Sequence, residues 1–238
     1  MKLDILAFGS HPDDIELSCG GTLIKHILVG RKAGIIDLTK GELGTRGTPE
    51  IREQESAAAA QILGVSIREN LGMDDGFFVN DEKHQREIIR MIRKYQPEII
   101  LANAIYDRHP DHGRGAMLVQ DASFLAGLRK IETNENNVVQ SSWRPKAVYH
   151  YIQDQFIMPD ILVDITEVIE KKMESVRAYR SQFYNPQSDE PITYIATPEF
   201  MDTLMVRAKE FGKMTGVKYA EGFTSNRKAG LDDLFLLK

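Results

Sequence analysis

The chain has 238 residues and a formal net charge of −5, and 42% of its residues are hydrophobic and 27% charged. This length favours one domain with a substantial core, and the average composition excludes a disordered or fibrous chain. The basic residues form no block, which disfavours a nucleic-acid-binding protein. We therefore expect a small-molecule partner and one domain that spans residues 1–238.

The single cysteine and the N-terminal segment bear on the cellular compartment. Cys19 has no second cysteine with which to form a disulfide, and residues 1–14 lack the basic, apolar and small-residue regions of a secretory signal. The longest apolar runs, such as Ile99–Tyr106, are far shorter than the roughly 20 residues that a membrane-spanning helix needs. The sequence therefore predicts a cytoplasmic protein without a membrane span.

Strand-like and helix-like segments alternate along the first half of the chain. The patterns predict a strand at Leu3–Phe8, a helix from Asp14 to about Val29, a strand at Ala33–Leu38 and a helix at Ile51–Gly64. They then predict a weak strand at Ile67–Leu71, a helix at Glu82–Tyr95, a strong strand at Glu98–Ala104 and a helix after Gly113. This alternation indicates an α/β fold with a mostly parallel sheet and helices on both faces.

The second half is less regular. The patterns predict strands at Ala147–Ile152 and Ile161–Val163 and helices at Thr166–Phe183 and Pro198–Lys213. Two polar stretches are predicted to be surface loops, either of which can border a pocket: Glu132–Ser142 and Asn185–Pro191.

Two histidine-containing clusters follow the first strand and the strongest strand. They are His11–Asp14, with the sequence HPDD, and His109–His112, with the sequence HPDH. Ligands bind outside the carboxyl ends of the strands of an open parallel sheet, so the two clusters can meet if their strands are neighbours. Three of the six histidines lie within these eight residues, which indicates a shared functional site.

The two clusters contain the ligands of an open metal site. Two imidazoles and a carboxylate bind catalytic zinc and leave the fourth position to water, so we expect His11, Asp14 and His112 to hold Zn²⁺. By itself, however, the first cluster is equally compatible with a simple turn in which Asp13 or Asp14 caps the following helix. The presence of two such clusters favours a metal hydrolase.

The remaining residues of the clusters can supply acid–base chemistry. Asp13 is predicted to lie beside the metal without binding it, where it can take a proton from water and pass it to a leaving amine. His109 can stabilise the oxyanion of a tetrahedral intermediate if Asp111 keeps it protonated. These roles are hypotheses from spacing.

Several motifs resemble those of the LmbE-like, or PIG-L, family of zinc-dependent N-acetylglucosamine de-N-acetylases. Ser10–Glu16 resembles the family signature A/S-H-P-D-D-x-E, and His109–His112 resembles its H-P-D-H signature. Thr39–Gly47 is similar to the glycine-rich loop of the family, and Ser181–Phe183 and Tyr219–Phe223 resemble features near its C-terminal end. The resemblance therefore spans nearly the whole chain.

The resemblance implies a single-domain Rossmann-like fold, Zn²⁺ as the cofactor and the roles assigned above to the two clusters. The glycine-rich loop together with Gly216–Phe223 is most similar to the bacillithiol-biosynthesis branch, which deacetylates N-acetylglucosaminyl-malate. Members of that branch are often hexameric. We therefore expect deacetylation of N-acetylglucosaminyl-malate by a homo-oligomer such as a hexamer.

Two further residues are candidates for substrate binding. Arg52 can hold a substrate carboxylate in a bidentate pair, as malate requires, or it can form a surface ion pair with Glu42 or Glu55. Tyr194 can donate its phenol to the oxyanion, or it can simply pack. Glu221 can line the pocket or support the site from behind, but a charge beside Gly222 is more often solvated, and we expect Glu221 to be solvated.

Two other functions compete with this prediction. A deacetylase of another N-acetylglucosamine conjugate, including short chitooligosaccharides, would use the same site. A metal-dependent sugar-binding module would keep the ligands without catalysis, but binding requires neither Asp13 nor His109.

Overall fold

A computed structural model describes residues 1–233 and 235. The elements of these residues are, in chain order, β1 (Ile5–Gly9), α1 (Asp14–Ser18), α2 (Gly20–Leu28), β2 (Ala33–Thr39), α3 (Pro49–Leu63), β3 (Ile67–Met73), α4 (Glu82–Tyr95), β4 (Ile99–Ala102), α5 (Pro110–Leu125), β5 (Asn134–Glu135), β6 (Val138–Val139), β7 (Ala147–Tyr151), β8 (Ile161–Asp164), a 3₁₀-helix (Thr166–Val168), α6 (Ile169–Arg177), α7 (Pro198–Thr215) and β9 (Ala220–Thr224). Among the described residues, no helix combines the length and apolar character that a membrane crossing requires.

Seven strands form one sheet in the order β3-β2-β1-β4-β7-β9-β8. The five strands from β3 to β7 are parallel, whereas β9 pairs antiparallel with both β7 and β8. The chain moves from β1 to β2 and β3 on one side and later to β4 on the other. The direction in which the strands are added therefore reverses between the paired strands β1 and β4. Open α/β sheets bind their ligands at the carboxyl edge of such a switch point. The predicted α/β fold with a mostly parallel sheet is confirmed.

Apolar side chains cover both faces of the sheet. Along β1, Leu6 and Phe8 join a buried cluster with α4 and α5, while Ile5 and Ala7 join a cluster on the opposite face with α2. A strand that is buried on both faces has no polar face to display, which explains why β1 is a continuous apolar run. The packing of β1 on both faces fixes the position of the residues that follow it.

The predicted helix from Asp14 to Val29 is two helices in the structure. It breaks at Cys19, and α2 starts again at Gly20. Glu221 on β9 accepts hydrogen bonds from the first backbone N–H groups of α2, those of Gly21 and Thr22, at 3.0 and 2.6 Å. A distant carboxylate therefore caps this helix, which periodicity does not reveal.

The expectation that Glu221 is solvated is wrong. Its side chain is buried, and its Oε1 lies 2.5 Å from Lys172 Nζ. Together with the cap on α2, this ion pair ties α6 and β9 to the segment behind the first cluster.

Other elements also differ from the prediction. Helix α5 begins at Pro110 rather than after Gly113, so the second cluster forms its first turn. Helix α6 ends at Arg177 instead of Phe183. The Ser181 N–H donates to Glu55 Oε1 at 2.7 Å, so it does not continue the helical hydrogen bonding. The polar stretch after residue 132 contains a short hairpin of β5 and β6, and strand β9 has no predicted counterpart.

Candidate active site

The two histidine clusters lie side by side at the carboxyl edge of the sheet. Their strands, β1 and β4, are paired, and the Ser10 N–H donates to Asn103 Oδ1 at 2.9 Å just beyond the strand ends. The ring centroid of His11 lies 4.6 Å from that of His109 and 5.6 Å from that of His112. The prediction that the clusters meet is confirmed.

Asp14 lies at the centre of the site. Its Oδ1 is 3.1 Å from His112 Nε2, and its Oδ2 is 3.8 Å from His11 Nδ1. The side-chain amides of Asn103 and Gln153 also donate to this carboxylate, at 2.9 and 3.1 Å. Burial opposes ionisation of Asp14, but the charges of His112 and His11 outweigh it and hold the pKa of Asp14 well below its usual range. Asp14 is therefore an ionised, fully engaged carboxylate.

The ring of His112 is held from both ends. Its Nδ1 lies 2.5 Å from Asp107 Oδ2, which leaves Nε2 facing Asp14. Burial disfavours the charged ring, yet Asp14 and Asp107 together raise the pKa of His112 to about 9. A carboxylate that contacts the outer nitrogen of an imidazole fixes its orientation, as it does for histidines that bind metals.

His11 faces a second pair of carboxylates. Its Nε2 lies 3.0 Å from Asp75 Oδ1 and 3.3 Å from Asp111 Oδ2. Burial works against protonation, but hydrogen bonds to Asp111 and Asp75 raise the pKa of His11 to about 10. The carboxylates around His11 and His112 thus favour a positive charge at this position.

The donor set fits a divalent metal ion. Among the described residues, two groups have ligand atoms that all lie within 4.8 Å of one another: His11, His109 and His112, and His11, Asp75 and Asp111. The predicted triad of His11, Asp14 and His112 is not one of these groups: Asp14 Oδ2 lies 3.8 Å from His11 Nδ1, and the other oxygen, Oδ1, lies 3.1 Å from His112 Nε2. Tetrahedral zinc ligands lie about 3.3 Å apart. Imidazole and carboxylate donors around a site that attracts positive charge suit a cation that displaces protons on binding.

Asp13 lies next to these donors in an unusual backbone conformation. Its φ of 121° is in the positive region that non-glycine residues rarely adopt, which costs on the order of 1–3 kcal/mol. The Arg52 guanidinium donates to Asp13 Oδ2 at 3.1 Å. Burial raises the pKa of Asp13 to about 7, although Arg52 opposes this shift. A carboxyl group with this pKa can both accept and donate a proton near neutral pH.

Arg52 is buried, so the alternative of a surface ion pair with Glu42 or Glu55 is wrong. In addition to its contact with Asp13, its Nη2 donates to Pro12 O at 2.6 Å and its Nη1 donates to Gly41 O at 3.2 Å. The guanidinium therefore orients Asp13 in this structure. Binding of a substrate carboxylate by Arg52 stays a prediction. The carboxylate would have to bind an N–H group of Arg52 that these contacts do not use, such as Nε.

The expected pairing of Asp111 with His109 has a different geometry. The Asp111 carboxylate contacts His11, accepts from the Gly76 N–H at 2.8 Å and accepts from Arg114 at 2.6 Å, whereas its backbone N–H donates to His109 Nδ1 at 3.3 Å. Burial and the charges of the neighbouring histidines lower the pKa of His109. The prediction that Asp111 keeps His109 protonated is therefore wrong. A neutral His109 whose Nδ1 accepts a backbone N–H carries its proton on Nε2, so it remains a hydrogen-bond donor.

Tyr194 lies at the mouth of the site. Its hydroxyl donates to Asp154 Oδ1 at 3.0 Å, and its ring lies 4.5 Å from the guanidinium of Arg108. The residue is 55% exposed. Partial burial and the Asp154 carboxylate raise the pKa of Tyr194, so the phenol remains a donor. Its predicted contact with an oxyanion stays a prediction.

A cavity of about 370 Å³ opens over these residues. It is lined by seven of the eight site residues that the sequence predicts, namely His11, Asp13, Asp14, Arg52, His109, His112 and Tyr194. Asp111 lies behind His11 with its side chain fully buried. The cavity is within the usual size range of small-molecule sites.

Four polar residues of the site escape the sequence analysis: Asp75, Asn103, Asp107 and Gln153. Each of them follows a parallel strand, since Asn103 and Asp107 come after β4, Asp75 after β3 and Gln153 after β7. A polar residue within a few positions of a strand end is the signal that could have identified them.

Comparisons with known proteins identify the family. The family model described as PIG-L, GlcNAc-PI de-N-acetylase, matches residues 6–123. The chain is 31% identical over 228 residues to the diacetylchitobiose deacetylase of Thermococcus kodakarensis, and this match covers 92% of this chain and 81% of that protein. The chain belongs to the PIG-L family. It is therefore a deacetylase, an amide hydrolase that acts on N-acetylglucosamine-type substrates.

Two further relatives of this PIG-L deacetylase bear on its fold and on the predicted similarity to the bacillithiol-biosynthesis branch. The crystal structure of the conserved protein TT1542 from Thermus thermophilus matches with a TM-score of 0.87 and 35% identity over 98% of both chains. The probable N-acetyl-alpha-D-glucosaminyl L-malate deacetylase 2 of Bacillus anthracis is 25% identical over 192 residues, which cover 75% of this chain and 81% of that one. The family prediction is confirmed, whereas the bacillithiol branch is only a distant match.

Proposed function

We propose that this PIG-L deacetylase uses zinc to remove an N-acetyl group from a short, uncharged N-acetylglucosamine oligosaccharide, of which diacetylchitobiose is the simplest. The similarity to the archaeal diacetylchitobiose deacetylase supports this substrate more strongly than the distant match to the malate deacetylase. This proposal replaces N-acetylglucosaminyl-malate, the first expectation from the sequence, by its alternative. The cytoplasmic location and the homo-oligomeric state stay predictions.

The zinc would be held by His11, Asp14 and His112. A bound zinc ion supplies Lewis acidity, which polarises the amide carbonyl and makes the attacking water more acidic. Asp13 accepts a proton from that water while the water oxygen forms a bond to the carbonyl carbon. The C–N bond then breaks as Asp13 returns the proton to the amine nitrogen, and the acetic acid that leaves ionises to acetate. His109 donates from Nε2 to the oxygen of the tetrahedral intermediate.

The similarity to the diacetylchitobiose deacetylase carries the substrate assignment, and the pairing of the charged side chains around the cavity agrees with it. Four arginines line the cavity, and each already has acceptors within the protein: Arg46, Arg52, Arg108 and Arg207. Five aspartates also line it: Asp13, Asp14, Asp75, Asp107 and Asp154. Malate would add two carboxylates to a wall that already holds these aspartates, and only arginine donors that the present contacts leave over, such as Arg52 Nε, could pair with them. An uncharged second sugar avoids this cost.

The decisive experiment compares substrates directly. Zinc-loaded protein is incubated with diacetylchitobiose and with N-acetylglucosaminyl-malate, and the released acetate and primary amine are quantified. We expect kcat/KM to be at least about tenfold higher for the uncharged disaccharide, the cost of roughly 1.4 kcal/mol that a misplaced charge readily imposes. Faster release from the malate conjugate would overturn the substrate assignment, and release from neither would overturn the proposed function.

Metal removal tests the zinc assignment in the same assay. Dialysis against a chelator should abolish acetate release, and added Zn²⁺ should restore it. Zinc should also raise the melting temperature of the metal-free protein, because a ligand that binds only the folded state stabilises it. Full activity of a preparation shown to be metal-free would refute a metal-dependent mechanism.

A further inference from the structure

Residues 184–196, between α6 and α7, form one wall of the cavity, and we name this segment the pocket strap. The structure describes all of these residues, and they form neither helix nor strand. Thr193, Tyr194 and Ile195 of the strap line the cavity. Thr193 Oγ1 is buried without a hydrogen-bond partner, which is unfavourable. Contacts with other parts of the chain therefore have to hold the strap in place.

A buried arginine of the glycine-rich loop makes these contacts. Arg46 is only 5% exposed. Its guanidinium donates hydrogen bonds to the residue Ser181, just before the strap, and to residues 188–191 within it. Nε donates to Ser181 O at 2.7 Å, just before the strap, and Nη2 donates to Ser188 Oγ at 3.0 Å. Nη1 donates to the carbonyls of Pro191 and Glu190 at 2.8 and 3.2 Å. One side chain thus joins three points of the segment.

Backbone contacts surround this anchor. The Gly47 N–H donates to Glu190 Oε1 at 3.1 Å, and the Gln182 side chain donates to Arg46 O at 2.7 Å. Gly47 has a φ of +70°, and a Cβ placed there would lie 2.7 Å from Ser181 Oγ. Only glycine allows this close approach without a shift. The glycine-rich loop and the strap therefore fit together as one unit around Arg46.

The end of the strap next to α7 has contacts of its own, because Ile195 packs against the apolar cluster that contains Phe200 and Leu204. Tyr194 reaches Asp154 and Arg108 across the mouth of the cavity, but its ring is 55% exposed. Hydrogen bonds and ion pairs that water can reach contribute little to stability. The position of residues 184–191 of the strap consequently depends mainly on Arg46.

We propose that Arg46 is a positioning residue that sets substrate affinity by holding the pocket strap against the cavity. Arg46 needs no contact with substrate for this role, because its donors are used by Ser181, Ser188, Glu190 and Pro191. The kinetic part of this inference rests on the proposed function, whereas the anchoring part does not. Loss of the anchor should weaken substrate binding and leave the chemistry at Asp13 nearly unchanged.

The test uses Arg46→Met, which removes every donor and keeps the length of the stem, and Arg46→Lys, which keeps the charge and one donor group. Arg86→Met is the matched control, because Arg86 lies on α4 outside the cavity lining. Chymotrypsin cleaves after tyrosine, and Tyr184 and Tyr194 of the strap are 48% and 55% exposed. We expect Arg46→Met to be cleaved there about tenfold faster than the wild type, Arg46→Lys at an intermediate rate, and Arg86→Met at the wild-type rate.

Kinetics on diacetylchitobiose provide the second readout. KM of Arg46→Met should rise about tenfold while kcat stays within about twofold. Gly47→Ala places a methyl group against Ser181 and so separates the glycine-rich loop from the strap, and it should raise KM and the cleavage rate as well. This variant decides the matter if Arg46→Met fails to fold. Wild-type cleavage or an unchanged KM overturns the inference. If no substrate is turned over, the proposed function fails, and the cleavage rates still decide whether Arg46 anchors the strap.

Discussion

The inner wall of the cavity, at the carboxyl ends of β1 and β4, consists of buried side chains that hold one another, whereas the pocket strap on the outer wall is an irregular segment held by one buried arginine, an exposed tyrosine and the packing of Ile195. On the inner wall, Asp14 has contacts with His11, His112, Asn103 and Gln153. On the outer wall, Arg46 donates three hydrogen bonds to the strap and a fourth to Ser181, just before it.

This difference separates chemistry from specificity. The inner wall is built on the switch point of the sheet, where the topology determines which residues meet. The outer wall is an irregular segment whose sequence can change without disturbing the core. We therefore expect substitutions on the inner wall to abolish turnover or metal binding and substitutions on the outer wall to change substrate affinity.

The largest effect is expected at Asp13. Asp13→Asn removes the proton acceptor but keeps the size of the side chain and an oxygen near Arg52, so kcat should fall about 10²–10⁴-fold, the usual contribution of a general base. Zinc content and melting temperature should stay close to those of the wild type. Metal analysis alongside the acetate assay checks both statements. Normal turnover with a full complement of zinc would show that another group moves the proton.

The inner wall is also the part that the sequence predicts best. The clusters at His11–Asp14 and His109–His112 stand out because histidines and aspartates follow apolar strands, and parallel strands bring their carboxyl ends to one edge. Asp75 and Gln153 also follow strand ends, but no neighbouring histidines single them out. Their contribution depends on how far the loops after β3 and β7 reach back towards β1, which is a property of tertiary packing.

The outer wall and the second half of the sheet were less predictable for a related reason. Glu221 lies beside a glycine in sequence, yet it is buried because Lys172 and the start of α2 provide its partners. Arg46 belongs to the predicted glycine-rich loop, but its acceptors are more than 130 residues away along the chain. Local pattern cannot show such contacts, since the partners become neighbours only after the sheet has formed.

A smaller effect than that of Asp13 is expected at Asp107, which holds the outer nitrogen of His112 at 2.5 Å. Asp107→Ala frees the ring to rotate, so affinity for Zn²⁺ should fall about 10–100-fold, as is usual when such a partner is lost. Asp107→Asn keeps an oxygen that can accept from Nδ1 and should lose less. Competition with a metal-binding dye measures both affinities. Wild-type affinity in Asp107→Ala would mean that Asp14 and Gln153 suffice to orient His112.

The smallest effect is expected at Tyr194, the exposed attachment of the outer wall. Tyr194→Phe removes the hydrogen bond to Asp154 and leaves the aromatic ring against Arg108 and Phe200. An exposed contact of this kind contributes about 0.2–1 kcal/mol, so KM for the disaccharide should rise by no more than about fivefold. If the phenol instead donates to the oxyanion, kcat should fall at least tenfold with little change in KM. The split between kcat and KM therefore decides whether Tyr194 belongs with the strap, which governs affinity, or with the inner wall, which governs the chemistry.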